Sequence, residues 1–368
     1  MSIVFLGDRG GKRYLDGSEV PTINADLSAR TSGVDFSRAA RLGENAKASF
    51  QGTIKVGDFD IERELAVRLI NAPTNPNGER NERVVRPWAN GQDVTGRSSE
   101  KWIIDFGTDA SEADAAMFEA PFEHLLHKVK PARAKVRRRN HRERWWIFGE
   151  ARPAMRRALT GRARYLATPR VAKWRLFKWL DVSVVPDGRL VVIARDDDTS
   201  FVLLQGRIHE VWSLATGGWH GKGNDPQYTP TNSFETFPFP EGLTPDIPAE
   251  DYADDPRAIR IAEAAERLNT LRENWLNPED LVIREPEVVE GYPDRILPRD
   301  EEAAKILKKR TLTNLYNERP AWLDHAHAEL DRAVAAAYGW EDDWEAGMDE
   351  EDILKRLFDL NQQRAANQ

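Results

Sequence analysis

The sequence of 368 residues contains no cysteine and no long apolar run. The absence of cysteine excludes disulfides, zinc sites built on thiolates and cysteine nucleophiles. No stretch approaches the roughly 18–20 apolar residues that a membrane-spanning helix needs, and the first residues turn polar too early for a secretory signal peptide. We therefore expect a cytoplasmic protein without a membrane partner.

Complete catalytic motifs are also missing. The sequence has no Walker loop, no HExxH and no GxSxG. A DNA adenine methyltransferase needs a glycine-rich loop after its first strand and an Asn/Asp-Pro-Pro-aromatic motif that holds the flipped base. Residues 5–11 match the first poorly, and the Asn-Pro pairs at 75–76 and 277–278 do not match the second. We therefore predict no catalytic residue in this chain.

Two groups of residues could suggest a metal site, and each lacks a partner. His124 and His127 lie three residues apart, but no third ligand follows at a suitable spacing. The acid run Asp196–Asp198 could suggest a nuclease, but residues 201–207 lack the acid-x-Lys that a PD-(D/E)xK nuclease requires. We predict no metal in this chain.

What the sequence does contain is a concentration of positive charge in residues 128–178, called the basic segment below. It holds 18 Lys or Arg and two acids, a net charge of +16, whereas the whole chain carries −8. The rest of the chain is acidic. Residues 1–127 carry −5, residues 179–245 carry −5 and residues 246–368 carry −14.

Segregated charge of this size is typical of a polyanion-binding surface, and we interpret the basic segment as a DNA-binding face. Aromatic residues stand between its cations, among them Trp145, Trp146, Tyr165 and Trp174. The alternative is an acidic/basic protein-interaction module without direct DNA contact. In that case the basic segment would dock onto residues 246–368 or onto an acidic partner.

The pattern of apolar residues predicts an α+β protein in three parts. Residues 1–66 have the composition of short strands and turns, and residues 67–245 that of a domain of mixed helix and antiparallel β. Residues 246–368 predict an acidic, all-α bundle of four amphipathic helices. Within the middle part, residues 111–129 predict one helix broken at proline 121, and residues 200–212 are interpreted as a strand.

Several blocks occur in an order that resembles a known family, and they cover nearly the whole chain from about residue 12. They are RPWANGQDVTGR, KWIIDFG, FEAPFEHLLHKVKPAR, RWWIFGEARPAMRRAL, RYLATPRVAKWRLFKWL, LLQGRIHEVWSL, YTPTNSFETFPFP and RTLTNLYNERPAWLDHAHAELDRAVAAAYGW. The blocks resemble the C-terminal half of MmeI-like and YeeA-like DNA methyltransferases, which are single-chain type II restriction–modification enzymes and their methylase-only relatives.

The resemblance implies a target-recognition domain at 67–245 that reads double-stranded DNA in the major groove, followed by a helical C-terminal domain. Residues 1–66 resemble the end of the methyltransferase core. The core itself, which would bind S-adenosylmethionine and methylate adenine at N6, is missing from this sequence, so no cofactor is expected in this chain. The resemblance therefore implies a partner chain that carries the core, or a fragment of a larger gene, within a restriction–modification or phage-defence system.

Physical reasoning divides the candidate DNA contacts into two sets. Long, dense cations suit phosphates, and short hydrogen-bonding side chains on loops and strand ends suit base edges. The predicted phosphate contacts are Arg137, Arg138, Arg139, Arg142, Arg144, Arg156, Arg157, Arg162 and Arg164. The predicted base contacts are Thr168, Arg170, Lys173, Arg195, Asp196, His220, Lys222, Asn224, Asp225 and Gln227.

Overall fold

A computed structural model describes residues 13–15, 17–20, 34–220 and 225–368, and its elements have the following bounds. The strands are β1 (Arg13–Leu15), β2 (Ser18–Val20), β3 (Ser49–Gln51), β4 (Asp60–Ile61), β5 (Val85–Ala89), β6 (Trp102–Ile104), β7 (Arg164–Pro169), β8 (Lys178–Asp181), β9 (Val185–Pro186), β10 (Leu190–Ile193), β11 (Gly218–His220), β12 (Asp225–Gln227), β13 (Val282–Glu285) and β14 (Arg295–Pro298). The helices are α1 (Arg63–Ile70), α2 (Gly91–Thr95), α3 (Glu112–Ala116), α4 (Glu119–Lys128), α5 (Lys130–Arg133), α6 (Arg139–Glu143), α7 (Pro153–Leu159), α8 (Asp198–Gln205), α9 (Arg207–Thr216), α10 (Pro256–Leu276), α11 (Glu301–Leu307), α12 (Leu312–Glu318), α13 (Ala321–Ala337), α14 (Glu341–Glu345) and α15 (Glu350–Ala366).

Two four-stranded sheets lie in the middle of the chain. The first has the order β3-β10-β7-β8 and is antiparallel throughout, with Val191 opposite Thr168. The second has the order β4-β6-β5-β9, in which only the β5–β9 pair is parallel. Mixed helix with antiparallel sheet confirms the predicted α+β class.

The apolar side chains form two large clusters. One, called the β6 cluster below, packs around β6, α1 and α4 and includes Trp102 and Leu125. The other joins the first sheet to α8, α9, α10, α13 and α15, so that Leu166 of β7 belongs to the same cluster as Leu268 and Leu330 of the C-terminal helices. The apolar core therefore continues across the predicted boundary at residue 246, which stays a prediction.

The interpretation of residues 200–212 as a strand is wrong, because they form most of α8 and α9. Every residue from Thr199 to Gln205 is buried, so α8 has no polar face and lacks the period that marks a surface helix. The local helix signal is the cap, since the Asp197 side chain accepts a hydrogen bond from the Ser200 amide at 2.7 Å.

The predicted helix at 111–129 is two helices, with the break at Met117–Phe118 instead of proline 121. Ser111 and Asp114 form the predicted capping box of α3. Pro121 lies in the first turn of α4, where a backbone N–H has no intrahelical acceptor to lose. The basic segment continues with two short helices, α5 and α6.

The C-terminal part contains six α-helices, α10 to α15, instead of the predicted four, because residues 301–318 form two helices and α14 is additional. It is also not purely helical, since it contains the hairpin β13–β14. The segment between its strands inserts Val289 into the β6 cluster and stacks Tyr292 on Trp102 with ring centroids 6.0 Å apart. Arg63 pairs with Glu287 at 2.8 Å beside it. Within the described ranges, no helix is long and apolar enough to cross a membrane.

Candidate nucleic-acid interface

A groove of about 820 Å³ lies between β5–α2 and the end of β7. One wall carries Lys55, Asp60, Trp88, Asn90, Gly91, Gln92, Thr95, Ser99, Lys101 and Thr313, and the other carries Pro169, Arg170, Val171, Ala172, Lys173, Trp174, Leu176, Arg189 and Gln227. Five of these residues are cations and one is an acid, so the groove is positively charged. Amide and hydroxyl side chains stand between the cations.

The first wall is fixed by the buried carboxylate of Asp93. Its two oxygens accept hydrogen bonds from the amides of Asn90 at 2.8 Å and Ser99 at 2.6 Å, and the Asn90 side chain caps α2 by accepting from the Gln92 amide at 2.7 Å. The half-buried Lys178 donates from its ammonium group to the Asp93 carbonyl at 3.2 Å. Hydrogen bonds to Asp93 and Asn90 therefore fix both ends of the short helix α2.

Two lysines of the first wall share one carboxylate. Asp60 forms an ion pair with Lys55 and lies 3.8 Å from the Lys101 ammonium. The Lys55 ammonium also lies over the Trp88 ring, 4.9 Å from its centroid. Burial lowers the pKa of Lys55, with Asp187 acting in the opposite direction.

The second wall is held by the buried guanidinium of Arg175. It donates to the Thr168 hydroxyl at 2.9 Å, to the Pro169 carbonyl at 2.5 Å and to the Pro226 carbonyl at 3.2 Å. It therefore ties the end of β7 to β12. Burial lowers its pKa to about 10, so it stays charged at neutral pH.

The predicted phosphate contacts form two groups, which differ in how exposed their side chains are. Arg137, Arg138, Arg139, Arg142 and Arg157 are exposed. Arg139 pairs with Glu143 at 2.6 Å, within one helical turn, a surface pair of small energy that a phosphate can replace. Arg142 also donates to the carbonyls of Val136 at 2.9 Å and Arg137 at 2.8 Å. All five side chains are nevertheless exposed to a polyanion.

The other four predicted phosphate contacts donate to protein groups. Arg144 donates to the Thr108 carbonyl at 2.6 Å, and Arg156 pairs at 2.8 Å with the buried Asp105. Arg162 pairs with Asp196 at 2.6 Å and Arg164 with Asp198 at 3.1 Å. The acid run considered above as a metal site thus lies against arginines.

The aromatic residues that suggested DNA stacking are largely core residues. Trp145, Trp146 and Tyr165 are buried, and only Trp174 is partly exposed, beside the groove. Its ring nitrogen donates to the Asn317 side chain at 3.0 Å. The alternation of cations and aromatics therefore reflects a segment with one buried and one solvated side.

Two of the predicted base contacts must be withdrawn because their side chains are buried and already bonded. Thr168 is fully buried and accepts from Arg175. Arg195 donates to Asp197, to the Tyr252 hydroxyl and to the carbonyls of Pro245 and Ile247, so neither can reach a base edge from its position.

The groove brings together three of the predicted base contacts, Arg170, Lys173 and Gln227. Asp196 is half-buried in its pair with Arg162, and Asp225 is exposed at the start of β12. His220 ends β11, opposite Asp225. Lys222 and Asn224 lie outside the described residues.

Sequence reasoning missed the residues of the first wall, among them Asn90, Gln92 and Lys101, and also Arg189 on the second wall. Asn90, Gln92 and Lys101 lie more than 60 residues before β7, Arg189 follows β7, and none of them belongs to the charge cluster of the basic segment. The available signal was the turn-rich RPWANGQDVTGR block, whose Asn-Gly pair begins α2.

Comparison with known proteins gives a fold and no family assignment. No protein-family model and no curated protein matches the sequence. The structure is similar to that of the type IIL restriction–modification enzyme MmeI, solved in complex with DNA, with a TM-score of 0.64 and 17% sequence identity. The match covers 97% of this chain and 40% of the MmeI chain. This chain therefore has the fold of part of MmeI, to which it is distantly similar in sequence.

Proposed function

We propose that this chain is the DNA sequence-recognition part of an adenine-specific (N6) DNA methyltransferase of a restriction–modification or phage-defence system. The methyltransferase core, with its S-adenosylmethionine, lies outside these 368 residues, in the same protein or in a partner chain. The observation that carries the proposal is the groove, because it combines an excess of cations with amide side chains on rigid elements. The fold of this chain is similar to that of part of MmeI, an enzyme solved in complex with DNA.

The arginine-rich part of the basic segment, residues 137–150, adjoins this groove through the backbone of residues 54 and 55. The Gly149 amide donates to the Lys55 carbonyl at 3.2 Å, and the Glu150 amide donates to the Ile54 carbonyl at 2.9 Å. Arg138 approaches Glu150 at 3.7 Å. The exposed arginines thus extend the positive surface that starts in the groove, and we assign them to phosphates and the groove to bases.

The test is the salt dependence of duplex binding. A protein with six to ten phosphate contacts loses about 10³–10⁵ in affinity between 50 and 200 mM salt. Replacing Arg137, Arg138 and Arg142 by Ala should lower the slope of log K against log salt by about 0.9 for each phosphate contact removed. The matched control replaces Lys308 and Lys309, which are exposed on the C-terminal part, and should leave the slope unchanged.

A slope near zero for the unmodified chain would contradict DNA recognition. An acidic/basic interaction module predicts a different result, in which the arginine variants disturb assembly with a protein partner and leave DNA binding unchanged. In the structure three half-buried arginines of the basic segment pair with Asp105, Asp196 and Asp198, none of which belongs to residues 246–368. This pairing favours DNA over docking on residues 246–368.

A methyl-transfer assay tests separately whether this chain lacks the methyltransferase core. With S-adenosylmethionine and duplex DNA, the chain alone should produce no N6-methyladenine. Adding a chain that contains the Asn/Asp-Pro-Pro-aromatic core should produce it at a defined sequence. Methylation without an added core would show that the core assignment is wrong.

A further inference from the structure

We propose that Gln92, at the start of α2, is a specificity-determining residue that contacts a base edge from the wall of the groove opposite Arg170. This inference rests on the proposed function and extends it to a residue in a separate segment of the chain. Three observations support the proposal. Gln92 lines the groove, its side-chain amide is free of hydrogen bonds to the described residues, and the helix α2 that carries it is rigidly held.

The two walls meet next to Gln92. A Cβ atom added to Gly91 would lie 3.4 Å from the Pro169 side chain, so the start of α2 lies directly against the end of β7. Gln92 and Arg170 follow these two residues in sequence, and both line the groove. A base edge that enters between the walls therefore meets side chains from both.

The side-chain amide of Gln92 is free to bind a ligand, whereas the side chains of Asn90 and Lys173 are already hydrogen-bonded within the protein. The Asn90 side-chain oxygen already caps α2 by accepting from the Gln92 backbone, and Lys173 donates to Asn317 at 2.6 Å. The Gln92 side chain is exposed, and within the described ranges no hydrogen bond to its amide group is found. It keeps both a donor and an acceptor for a ligand.

Several hydrogen bonds fix the short helix α2, which carries Gln92. Asp93 bonds both Asn90 and Ser99 from a buried position, and the Thr313 hydroxyl of α12 donates to the Thr95 carbonyl at 3.4 Å. A contact residue on a fixed element loses little freedom on binding, which is the property that base discrimination needs.

The chemistry of the amide points to adenine. Gln presents a donor and an acceptor that match N7 and N6 of adenine in the major groove, whereas the carboxylate of Glu accepts from N4 of cytosine. A change of Gln92→Glu should therefore move the preference at one position of the recognised site from adenine towards cytosine. Gln92→Ala should reduce discrimination at that position by about 5- to 150-fold.

The experiment is selection of duplexes from a randomised library by the full chain, followed by sequencing of the bound fraction. The unmodified chain, Gln92→Glu, Gln92→Ala and the control Gln363→Glu are compared at one salt concentration. Gln363 is exposed on α15, so its variant makes the same charge change away from the groove. We expect a single altered position for the Gln92 variants and an unchanged site for the control.

The outcomes separate the two proposals. If the unmodified chain enriches no sequence, sequence recognition by this chain fails and the assignment of Gln92 fails with it. If the unmodified chain and both Gln92 variants enrich the same site, recognition stands and the assignment of Gln92 is overturned. Arg170→Ala is the positive control of the opposite wall and should alter a position next to the one that Gln92 contacts.

Discussion

Arg133 holds the basic segment against the rest of the protein, and its replacement tests that arrangement. Its guanidinium is buried and donates to four backbone carbonyls: Val56 at 2.5 Å, Lys55 at 2.7 Å, Ile147 at 3.0 Å and His141 at 3.1 Å. Burial lowers its pKa to about 10, which leaves the side chain charged at neutral pH.

We expect Arg133→Met to lower the free energy of unfolding by about 3–5 kcal/mol. A hydrogen bond from a charged donor contributes roughly 1.5–3 kcal/mol, and a buried carbonyl left without a donor costs about 1–3 kcal/mol. The four contributions do not add in full, because carbonyls near the surface regain water. Val56 has a backbone φ of +52°, which is strained for a β-branched residue, and it loses its bond to Arg133 at the same time.

The assay is urea unfolding at neutral pH, with two matched variants. Arg137→Met removes an exposed arginine and should change stability by less than about 0.5 kcal/mol. Arg133→Lys keeps the charge but lacks the planar fork of donors, so it should fall between the two. If Arg133→Met unfolds at the same urea concentration as Arg137→Met, the four-carbonyl arrangement does not exist in solution.

Two further predictions concern stability. Burial, with a smaller contribution from Arg175 for His209 and from Arg272 for His327, lowers the pKa of each histidine to about 3. The unfolded chain takes up these protons near pH 6.5 and the folded chain only near pH 3, so stability falls as the pH falls through this window. His209→Gln should reduce the slope between pH 4 and 6 by about 1.4 kcal/mol per pH unit in urea titrations, and an unchanged slope would contradict the burial of that ring. In Gly52→Ala the new Cβ would lie 2.2 Å from the Asp187 carbonyl, so thermal unfolding should show a loss of about 2–3 kcal/mol, whereas Gly43→Ala, with its nearest neighbour at 3.8 Å, should unfold almost as the parent.

The parts of the fold that sequence could predict are those in which one segment carries the whole signal. Ser111 and Asp114 give the start of α3 because a capping box needs only four residues. Residues 198–205 show the opposite case, since a helix buried on every side has no polar period to read. The hairpin β13–β14 was missed because its stabilising contacts, such as Tyr292 on Trp102, are made with a distant segment.

The candidate site shows the same division. Charge count defines the basic segment, but it could not tell the exposed Arg137 from Arg156, which pairs with a buried acid. Nor could it tell the half-buried Arg170 from the buried Arg195. The groove is formed only when α2 packs against β7, and the Asn-Gly pair of the RPWANGQDVTGR block marks a turn without indicating what packs against it.

The apolar core that runs across residue 246 has a consequence for exchanging parts between related proteins. Lys173 is held by Asn317, and Trp102 is covered by Tyr292, so the groove and the β6 cluster are each completed by side chains from the last third of the chain. A chimaera joined near residue 246 would place foreign side chains against both. Under the proposed function, new sequence preferences are therefore better installed by changing single side chains on this scaffold than by transplanting residues 67–245 as a block.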